Sequence, residues 1–289
     1  MSAPVITDLS VSLDGWSASM GSTPTIDENG CAWILSELDG WFGGVGVRSA
    51  PVDRLTVDGT IDGLRTFGAR VITIGGSVVA PDRGSLMQAM DRIAGVLAGR
   101  SRTGTLLVNE EARQMYRQAL VTLDADTKVA VADRLRATFS LALYAADPAR
   151  YSTSTQQVQS LRYTPGGLFT IPLTVPIVFG PPGASGFLTI NNNGNQDAWP
   201  VFRFVGPLVN PTVRLVGDRA ISVVISLAAG QELVIDSKGR TVMLGASSRR
   251  GFLSFDSAWF SLPPGSSQLY FSADSGSGTL TVQWRDAWA

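Results

Sequence analysis

The sequence predicts a mainly β protein of two domains, on three observations. Short apolar runs alternate with polar residues through most of the chain, which is the pattern of half-buried strands. The 31 glycines and 15 prolines are spread between these runs, as tight turns joining many strands require. A polar, turn-rich stretch from 151 to 170 separates two β-rich parts. We therefore predict a β-rich domain with one helix over residues 1–155 and an antiparallel β-sandwich over residues 156–289.

The composition excludes several classes of function. The chain has 44% hydrophobic and 16% charged residues, enough apolar side chains to fold, and a net charge of −1 gives no basic surface for nucleic acid. It has no histidine, which excludes Ser-His-Asp triads, Cys-His dyads and ordinary zinc hydrolases. The single cysteine, Cys31, excludes disulfides within the chain and cysteine-rich zinc sites, and we expect it to be buried. Chemistry that uses only carboxylates, such as glycoside hydrolysis, needs neither histidine nor cysteine and is not excluded.

The N-terminal residues lack the charged and apolar regions of a secretory signal, and no run approaches the ~18 apolar residues of a membrane span. We therefore expect a chain that is made in the cytoplasm and does not insert into a membrane. No glycine-rich segment has the context of a phosphate-binding loop, since Gly43–Gly46 neither follows a clear strand nor opens a helix. No cofactor and no metal site is predicted.

In the first domain, residues 5–13 read as an opening strand, followed by turns at Asp14–Gly15 and Asp39–Gly40. The run from 69 to 80 is predicted to be a strand that breaks at Gly75–Gly76, where a bulge or a close backbone approach is expected. Residues 134–144 alternate strongly, and Pro148 should stop that strand.

Residues 82–98 are the predicted helix. Leu86, Met90, Ile93 and Leu97 recur at helical spacing, so one apolar face should lie against a sheet. Asp82 or Ser85 can cap its start, and the glycine at 99 suits its end.

The aromatic residues have two interpretations. Trp16, Trp33 and Trp41 lie close together in the sequence, and core or interface packing is favoured over a sugar site. In the second domain, packing is again favoured over stacking on sugar rings, for Trp199, Trp259, Tyr270 and Trp284.

The asparagine-rich stretch from 191 to 197 predicts a long, shaped loop, because asparagine and glycine tolerate a positive φ. Its predicted members are Asn193, Gly194, Asn195, Trp199 and Pro200. The loop could bind a ligand, but one carboxylate makes calcium binding a poor interpretation. The sequence does not single out a pair of carboxylates for acid–base chemistry. The candidates are Glu110 with Glu111, Asp27 with Glu28, and Asp236, and the default interpretation of each is a charge in a solvated turn.

Three segments in this order are similar to a known family. They are ARVITIGGSVVAP with the LMQAMDRIAGVL helix, RLRATFSLALYAADPARYS with its DP-x-x-Y corner, and LTINNNGNQDAWPVFRFVGP. Together they resemble the distal tail proteins of long, non-contractile bacteriophage tails, also called siphophage tail components or minor tail proteins. Residues 14–50 do not match that pattern.

The resemblance implies a non-enzymatic virion protein at the tail tip. Its first domain would form a ring, commonly a hexamer, and its second would be a galectin-like β-sandwich. The implied partners are further copies of the chain, the tail tube protein, the tape-measure protein and the hub proteins of the tail tip or baseplate. A saccharide on the host surface is a further candidate.

Ring closure needs head-to-tail contacts and a paired or guarded sheet edge. We therefore predict subunit contacts at Trp33, Trp41, Val71, Ile74 and Val79. The match to the DP-x-x-Y corner of the family implies a domain corner at Asp147, Pro148 and Tyr151. The main alternative is a carbohydrate-binding β-sandwich protein or a glycoside hydrolase. A tube or capsid subunit is a third interpretation, which the two-domain pattern disfavours.

Overall fold

The computed structural model describes residues 9–21, 23–49, 52–54, 56–58, 60–61, 63, 65–99, 102–110, 115–160 and 186–289. The chain divides into two compact units, residues 1–153 with Ala289, and residues 154–288. Residues 161–185, which fall within the predicted β-sandwich, lie outside the described residues.

The first unit is built from β-strands, and buried and exposed side chains alternate in the longer of them, as a sheet with one covered face requires. These strands are β1 (Leu9–Leu13), β2 (Trp16–Met20), β3 (Thr25–Ile26), β4 (Ala32–Asp39), β5 (Val47–Arg48), β6 (Val52–Asp53), β7 (Thr60–Ile61), β8 (Thr66–Phe67), β9 (Arg70–Val79), β10 (Gly104–Glu110), β11 (Met115–Leu123), β12 (Lys128–Val131), β13 (Arg136–Ala145) and β14 (Arg150–Ser152).

Seven of these strands form a sheet that closes on itself, in the order β13-β9-β4-β2-β1-β10-β11 and back to β13. The closing contact pairs Thr122 with Tyr144 and Leu123 with Leu143. The neighbours are antiparallel except β2 and β4, which run parallel. The closed sheet gives inward-facing side chains one shared core.

Three aromatic rings fill part of that core. Trp16 packs edge-on against Trp33 and Phe139, with ring centroids 5.7 Å and 5.3 Å apart. Gly76 makes room for them, since a Cβ there would lie 2.6 Å from the Phe139 ring and 2.3 Å from the Ile34 carbonyl oxygen. The close approach predicted at Gly75–Gly76 is therefore present, but the predicted break is wrong. β9 continues through both glycines, and the register shift lies opposite them in β4, between Leu35 and Glu37.

The helix α1 spans Arg83–Gly95, and Asp82 caps it by accepting from the Ser85 amide at 3.0 Å. Leu86 and Ile93 are buried in the core, as the apolar spacing predicts. The helix ends earlier than predicted because Val96 is extended and donates its amide to the Ile93 carbonyl. Leu97 then adopts a φ of 53° and reaches the core from the turn.

The second unit has the short strands predicted for an antiparallel sandwich. They are β15 (Gln156–Gln159), β16 (Phe187–Asn192), β17 (Val201–Val205), β18 (Leu208–Val209), β19 (Thr212–Leu215), β20 (Ala220–Ser222), β21 (Ser226–Leu227), β22 (Glu232–Asp236), β23 (Thr241–Leu244), β24 (Ser247–Ser248), β25 (Gly265–Ser272), β26 (Ser275–Gly276), β27 (Thr279–Trp284) and β28 (Ala287–Trp288). A 3-10 helix spans Arg250–Phe252.

Two antiparallel sheets carry the core of this unit, in the orders β15-β27-β17-β22-β23-β24 and β16-β25-β19-β20. Phe204 of the first sheet meets Phe271 of the second with centroids 5.6 Å apart, so the buried faces oppose each other. A smaller sheet has the order β21-β18-β26. The predicted mainly β class is confirmed. Across the described ranges, no helix is long and apolar enough to cross a membrane.

Candidate functional site

The residues predicted to form subunit contacts fall into two groups, according to whether their side chains lie on the inner or the outer side of the sheet. Trp33, Trp41 and Ile74 are buried in the core of their own unit, because they point inward. Val71 and Val79 point outward from β9 and are 50% and 38% exposed. Of the five residues, only these two valines have exposed side chains, and the other three support the strands and the loop from within.

Val71 belongs to a larger apolar patch on the outer surface. It is the register partner of Tyr144 on β13, and Tyr144 is the partner of Thr122 on β11. Leu120 lies two residues before Thr122 on the same side of β11, and it is 59% exposed. We call Val71, Leu120 and Tyr144 the outer stripe. It runs across three adjacent strands, and reading one strand at a time does not reveal it.

Two acidic side chains border the outer stripe. Glu37 and Asp39 lie on β4, opposite Gly75 and Thr73 of β9, and both are exposed. Because alternate residues of β9 share a face, Asp39 lies diagonally next to Val71. The apolar stripe therefore has a negatively charged margin.

A buried arginine fixes the loop that follows β4. The Arg70 guanidinium donates from one nitrogen to the carbonyls of Gly40, Trp41 and Gly43, at 2.7, 3.1 and 2.8 Å. Its Nε donates to the Pro148 carbonyl at 2.9 Å. Burial, together with the nearby charge of Arg117, lowers the pKa of Arg70, but an arginine stays protonated in proteins.

A second arginine converges on the same loop. Arg150 donates to the Trp41 carbonyl at 2.6 Å and lies over the Trp41 ring, 5.6 Å from its centroid. It also donates to the carbonyl oxygen of Ala289. Arg70 and Arg150 thus hold the chain after Asp39 in one place, beside the acidic margin.

The predicted corner at Asp147, Pro148 and Tyr151 is a hydrogen-bonded turn. The Tyr151 hydroxyl donates to an Asp147 carboxylate oxygen at 2.8 Å, and the Pro148 carbonyl accepts from Arg70. Burial, reinforced by the charge and the hydrogen bond of Asp147, raises the pKa of Tyr151 well above its ordinary value. The phenol therefore stays protonated and keeps the corner closed at physiological pH.

A hairpin arm extends from the first unit between β4 and β9. Among the residues that the structure describes, its strands pair only with each other, β5 with β8 and β6 with β7, and the Gly68 amide closes its base on the Gly46 carbonyl at 2.8 Å. Nearly all described side chains from Val47 to Phe67 are exposed, including Val52 at 62% and Phe67 at 51%. The sequence has Asp-Gly turn signals at 58–59 and 62–63, but nothing in it indicates that the strands of this stretch leave the sheet.

In the second unit, the shaped loop is organised by a residue that the sequence reading did not single out. Asn192 is buried and donates to the carbonyls of Gln196 and Leu262, at 2.8 and 3.1 Å. Its oxygen accepts from the amides of Gly194 and Ala287. In the sequence, the importance of Asn192 is indicated only by its position within an Asn-rich turn.

The loop residues named from the sequence then take fixed places around Asn192. A Cβ on Gly194 would lie 1.7 Å from the Ala287 carbonyl oxygen, so only glycine fits. Asn193 donates to Asp286 at 3.1 Å, and the Pro200 carbonyl accepts from the Ser237 amide. Asn195 is exposed, whereas Trp199 is half-buried. The loop is therefore fastened to its own unit, which fits a structural role better than metal or ligand binding.

The carboxylates considered for acid–base chemistry are also held in structural contacts. Glu110 pairs with Arg117 in the interior, and Asp236 accepts from the amides of Lys238 and Gly239. Asp27 accepts from the Trp33 indole at 2.9 Å. Glu111 lies outside the described residues. In the part of the chain that the structure describes, no group of three or more carboxylate or thiol side chains is placed to hold a metal ion.

Part of the chain matches a family of known proteins, and its fold matches solved structures. Residues 193–288 match the family model described as the siphovirus-type tail component, C-terminal domain. No curated protein sequence matches the chain. Among solved structures, the Dit protein of phage SPP1 covers 97% of this chain and 99% of its own, with 13% identity and a TM-score of 0.66.

Two structures of the phage P2 baseplate, with calcium and with strontium, also match at 13% identity, with TM-scores of 0.46 and 0.45. Each covers 97% of this chain and 98% of its own. Residues 193–288 are therefore similar to the C-terminal domain of siphovirus-type tail components, and the chain has the fold of the SPP1 Dit protein, in agreement with the resemblance seen in its sequence.

Proposed function

We propose that this chain is a structural component at the tip of a long, non-contractile phage tail. Its first unit would form a homo-oligomeric ring, expected to be a hexamer, between the tail tube and the tail tip or baseplate. The observation that carries the proposal is the correspondence of almost the whole chain to the fold of SPP1 Dit, together with the family domain at residues 193–288. The exposed outer stripe and hairpin arm support it, because such apolar surface marks a site of protein contact.

A non-enzymatic role accords with the chemistry of the chain. It has no histidine, and Glu110, Asp236 and Asp27 are engaged in structural contacts. The proposed partners are further copies of the chain, the tail tube protein, the tape-measure protein and the tail-tip hub proteins. Each of these contacts requires a surface and no reacting group.

The purified full-length chain tests the proposal. We expect multi-angle light scattering to give a single oligomer of about six subunits, and negative-stain microscopy to show a ring with a central channel. Antibodies against the chain should label the tail tip of the intact phage. A chain that stays monomeric at high concentration, with labelling elsewhere in the virion, would overturn the assignment.

A second role in binding a saccharide is favoured by one surface of the second unit. Phe187 and Tyr270 lie side by side on the outer face of β16 and β25, with ring centroids 4.9 Å apart. Arg214 is the next register partner of Tyr270, on β19. Such a row offers ring faces and a donor to a sugar.

The saccharide role is tested on glycan arrays with the wild-type chain, a Tyr270→Ala variant and a matched Phe252→Ala variant. Phe252 is another exposed aromatic side chain of this unit, on the 3-10 helix. Binding that Tyr270→Ala alone abolishes would support the site. Signals equal to background for the wild-type chain would exclude it.

A further inference from the structure

One row of side chains crosses the whole outer face of the four-stranded sheet in the second unit. Register pairing places its members next to one another, from β16 through β25 and β19 to β20: Phe187, Tyr270, Arg214 and Ala220. Because neighbouring strands lie about 4.8 Å apart, the row is roughly 14 Å long. It begins with two aromatic rings and ends with a guanidinium and a short side chain, and it is longer than a single sugar ring.

The side chains on both sides of this row are polar and uncharged. On one side lie Thr189 and Gln268, which are register partners. On the other side lie Thr212 and Ser222, and the Thr212 hydroxyl donates to the Ser222 hydroxyl at 2.9 Å. In these four strands, all of which the structure describes, Arg214 is the one charged residue on the outer face. Aromatic rings flanked by hydroxyl and amide groups suit a neutral sugar.

A turn beside β20 brings a carboxylate to the end of the row. The amides at the two ends of residues 254–258 donate to the carbonyls of Ser222 and Ala220, both at 2.9 Å, so this turn is fastened to the free edge of β20. Asp256 is the middle residue of the turn. Because Ala220 is the register partner of Arg214, Asp256 and Arg214 lie on either side of a short side chain.

Asp256 is held by its own turn, whereas Arg214 is not engaged. The Ser254 hydroxyl donates to the Asp256 carboxylate at 2.6 Å, and the Ser257 hydroxyl donates to the Ser222 carbonyl at 3.0 Å. The hydrogen bonds from Ser254 and from its own amide, together with the charge of Arg214, outweigh burial and hold the pKa of Asp256 below its ordinary value. Within the described ranges, the Arg214 side chain makes no hydrogen bond or ion pair, which leaves its N–H donors for a ligand.

We propose that this row binds a neutral oligosaccharide, with sugar rings against Phe187 and Tyr270 and with Arg214 and Asp256 holding adjacent hydroxyl groups at its polar end. The inference rests on the saccharide role proposed above, and it adds the class of sugar and the residues that select it. A guanidinium donates to hydroxyl oxygens and a carboxylate accepts from hydroxyl hydrogens, so the pair satisfies two neighbouring hydroxyl groups. An acidic sugar gains little here, because Asp256 repels its charge while Arg214 attracts it.

A glycan array that pairs neutral oligosaccharides with their sialylated, uronic-acid and phosphorylated counterparts tests the class of sugar. We expect the wild-type chain to bind neutral members and to bind the acidic counterparts at least about tenfold more weakly, because the cost of desolvating the acid group is not offset. The neutral glycan with the strongest signal is then titrated into each variant by isothermal titration calorimetry.

Substitutions at the polar end test the role of each group. Arg214→Ala and Asp256→Ala should each weaken binding of that neutral glycan roughly tenfold, since a sugar hydroxyl loses its partner. Asp256→Asn should shift the preference toward the acidic counterparts, because the charge of Arg214 is then unbalanced. Arg219→Ala and Asp218→Asn are the matched controls. These exposed residues pair with each other at 3.6 Å in the turn before β20, and both variants should bind like wild type.

The outcomes distinguish the polar end from the saccharide role itself. Circular dichroism first confirms that each variant is folded. Loss of binding in Tyr270→Ala but not in Arg214→Ala or Asp256→Ala, or equal binding of neutral and acidic glycans, would overturn the polar end and leave the saccharide role standing. An array without signal for the wild-type chain would contradict both. If phage carrying Tyr270→Ala then lose a tail-tip protein from their virions, the row contacts protein and the inference is wrong.

Discussion

Gly76 is crowded from two sides, by the Ile34 carbonyl and by the Phe139 ring. We predict that Gly76→Ala lowers the free energy of unfolding by about 1–3 kcal/mol, because the core must move to admit one methyl group. Urea denaturation followed by tryptophan fluorescence measures this. Gly95→Ala is the matched control: nothing lies within 4 Å of its Cβ at the end of α1, so between no change and a gain of about 1 kcal/mol is expected. Equal losses at both glycines would contradict the crowding argument.

Asp27 is a carboxylate whose stability contribution depends on pH. Partial burial raises its pKa, but hydrogen bonds from Trp33, Cys31 and Asn29, and the charge of Arg92, more than offset this and lower it overall. A lowered folded-state pKa means that its contribution is complete above the ordinary pKa of about 3.9 and is lost as the pH falls through the folded value.

We predict that Asp27→Asn lowers the free energy of unfolding by about 1–2 kcal/mol at pH 7, and that this difference shrinks below pH ~4. Urea midpoints measured between pH 3 and pH 7 test it. Glu28→Gln, at an exposed neighbouring side chain, should change little over the same range. A difference that does not depend on pH would argue against the charged carboxylate as its source.

The Asn192 loop shows how one side chain can organise an element. We predict that Asn192→Ala lowers the free energy of unfolding by roughly 2–4 kcal/mol, since it leaves several buried backbone groups without partners. Asn191→Ala removes an exposed side chain that bonds only locally, to Asn193, and should cost less than about 0.5 kcal/mol. Thermal unfolding of the full chain compares them, and similar losses for the two variants would show that Asn192 is not the organising residue.

Alternation and helical spacing were sufficient to predict most elements. The strand at residues 134–144, the helix face with Leu86 and Ile93, and the corner at Asp147 were readable because each depends on neighbours in sequence. The continuation of β9 through Gly75 and Gly76 was not readable. It depends on a bulge in β4 and on the Phe139 ring, which are distant in sequence.

The candidate surface was predictable only in part, for the same reason. Val71 was named from its strand, but its neighbours Tyr144 and Leu120 become visible only when β9, β13 and β11 are adjacent. Trp41 was named because tryptophans are common at interfaces, whereas its burial follows from the contacts with Arg70 and Arg150. Local pattern thus predicts which strands exist, and closure of the sheet decides which residues face outward.

At the scale of the whole molecule, substitutions at Val71 and Ile74 distinguish an effect on assembly from an effect on folding. Val71→Asp places a charge on the exposed outer stripe, so we predict a folded chain that no longer forms the ring. Ile74→Asp places a charge in the core, so we predict a loss of more than about 3 kcal/mol and little folded protein. Light scattering and circular dichroism on the two variants test this. An unchanged oligomer for Val71→Asp would remove the outer stripe from the interface.

The bonds from Arg70 and Arg150 to the loop after β4 all end on main-chain oxygens. Any amino acid supplies such an oxygen, so replacing the side chain of Phe42 leaves this support intact. The exposed side chains here can therefore change while the path of the backbone stays the same. Replacing the Arg70 guanidinium would have the opposite consequence, because the carbonyls of Gly40, Trp41 and Gly43 would lose their hydrogen bonds to it together.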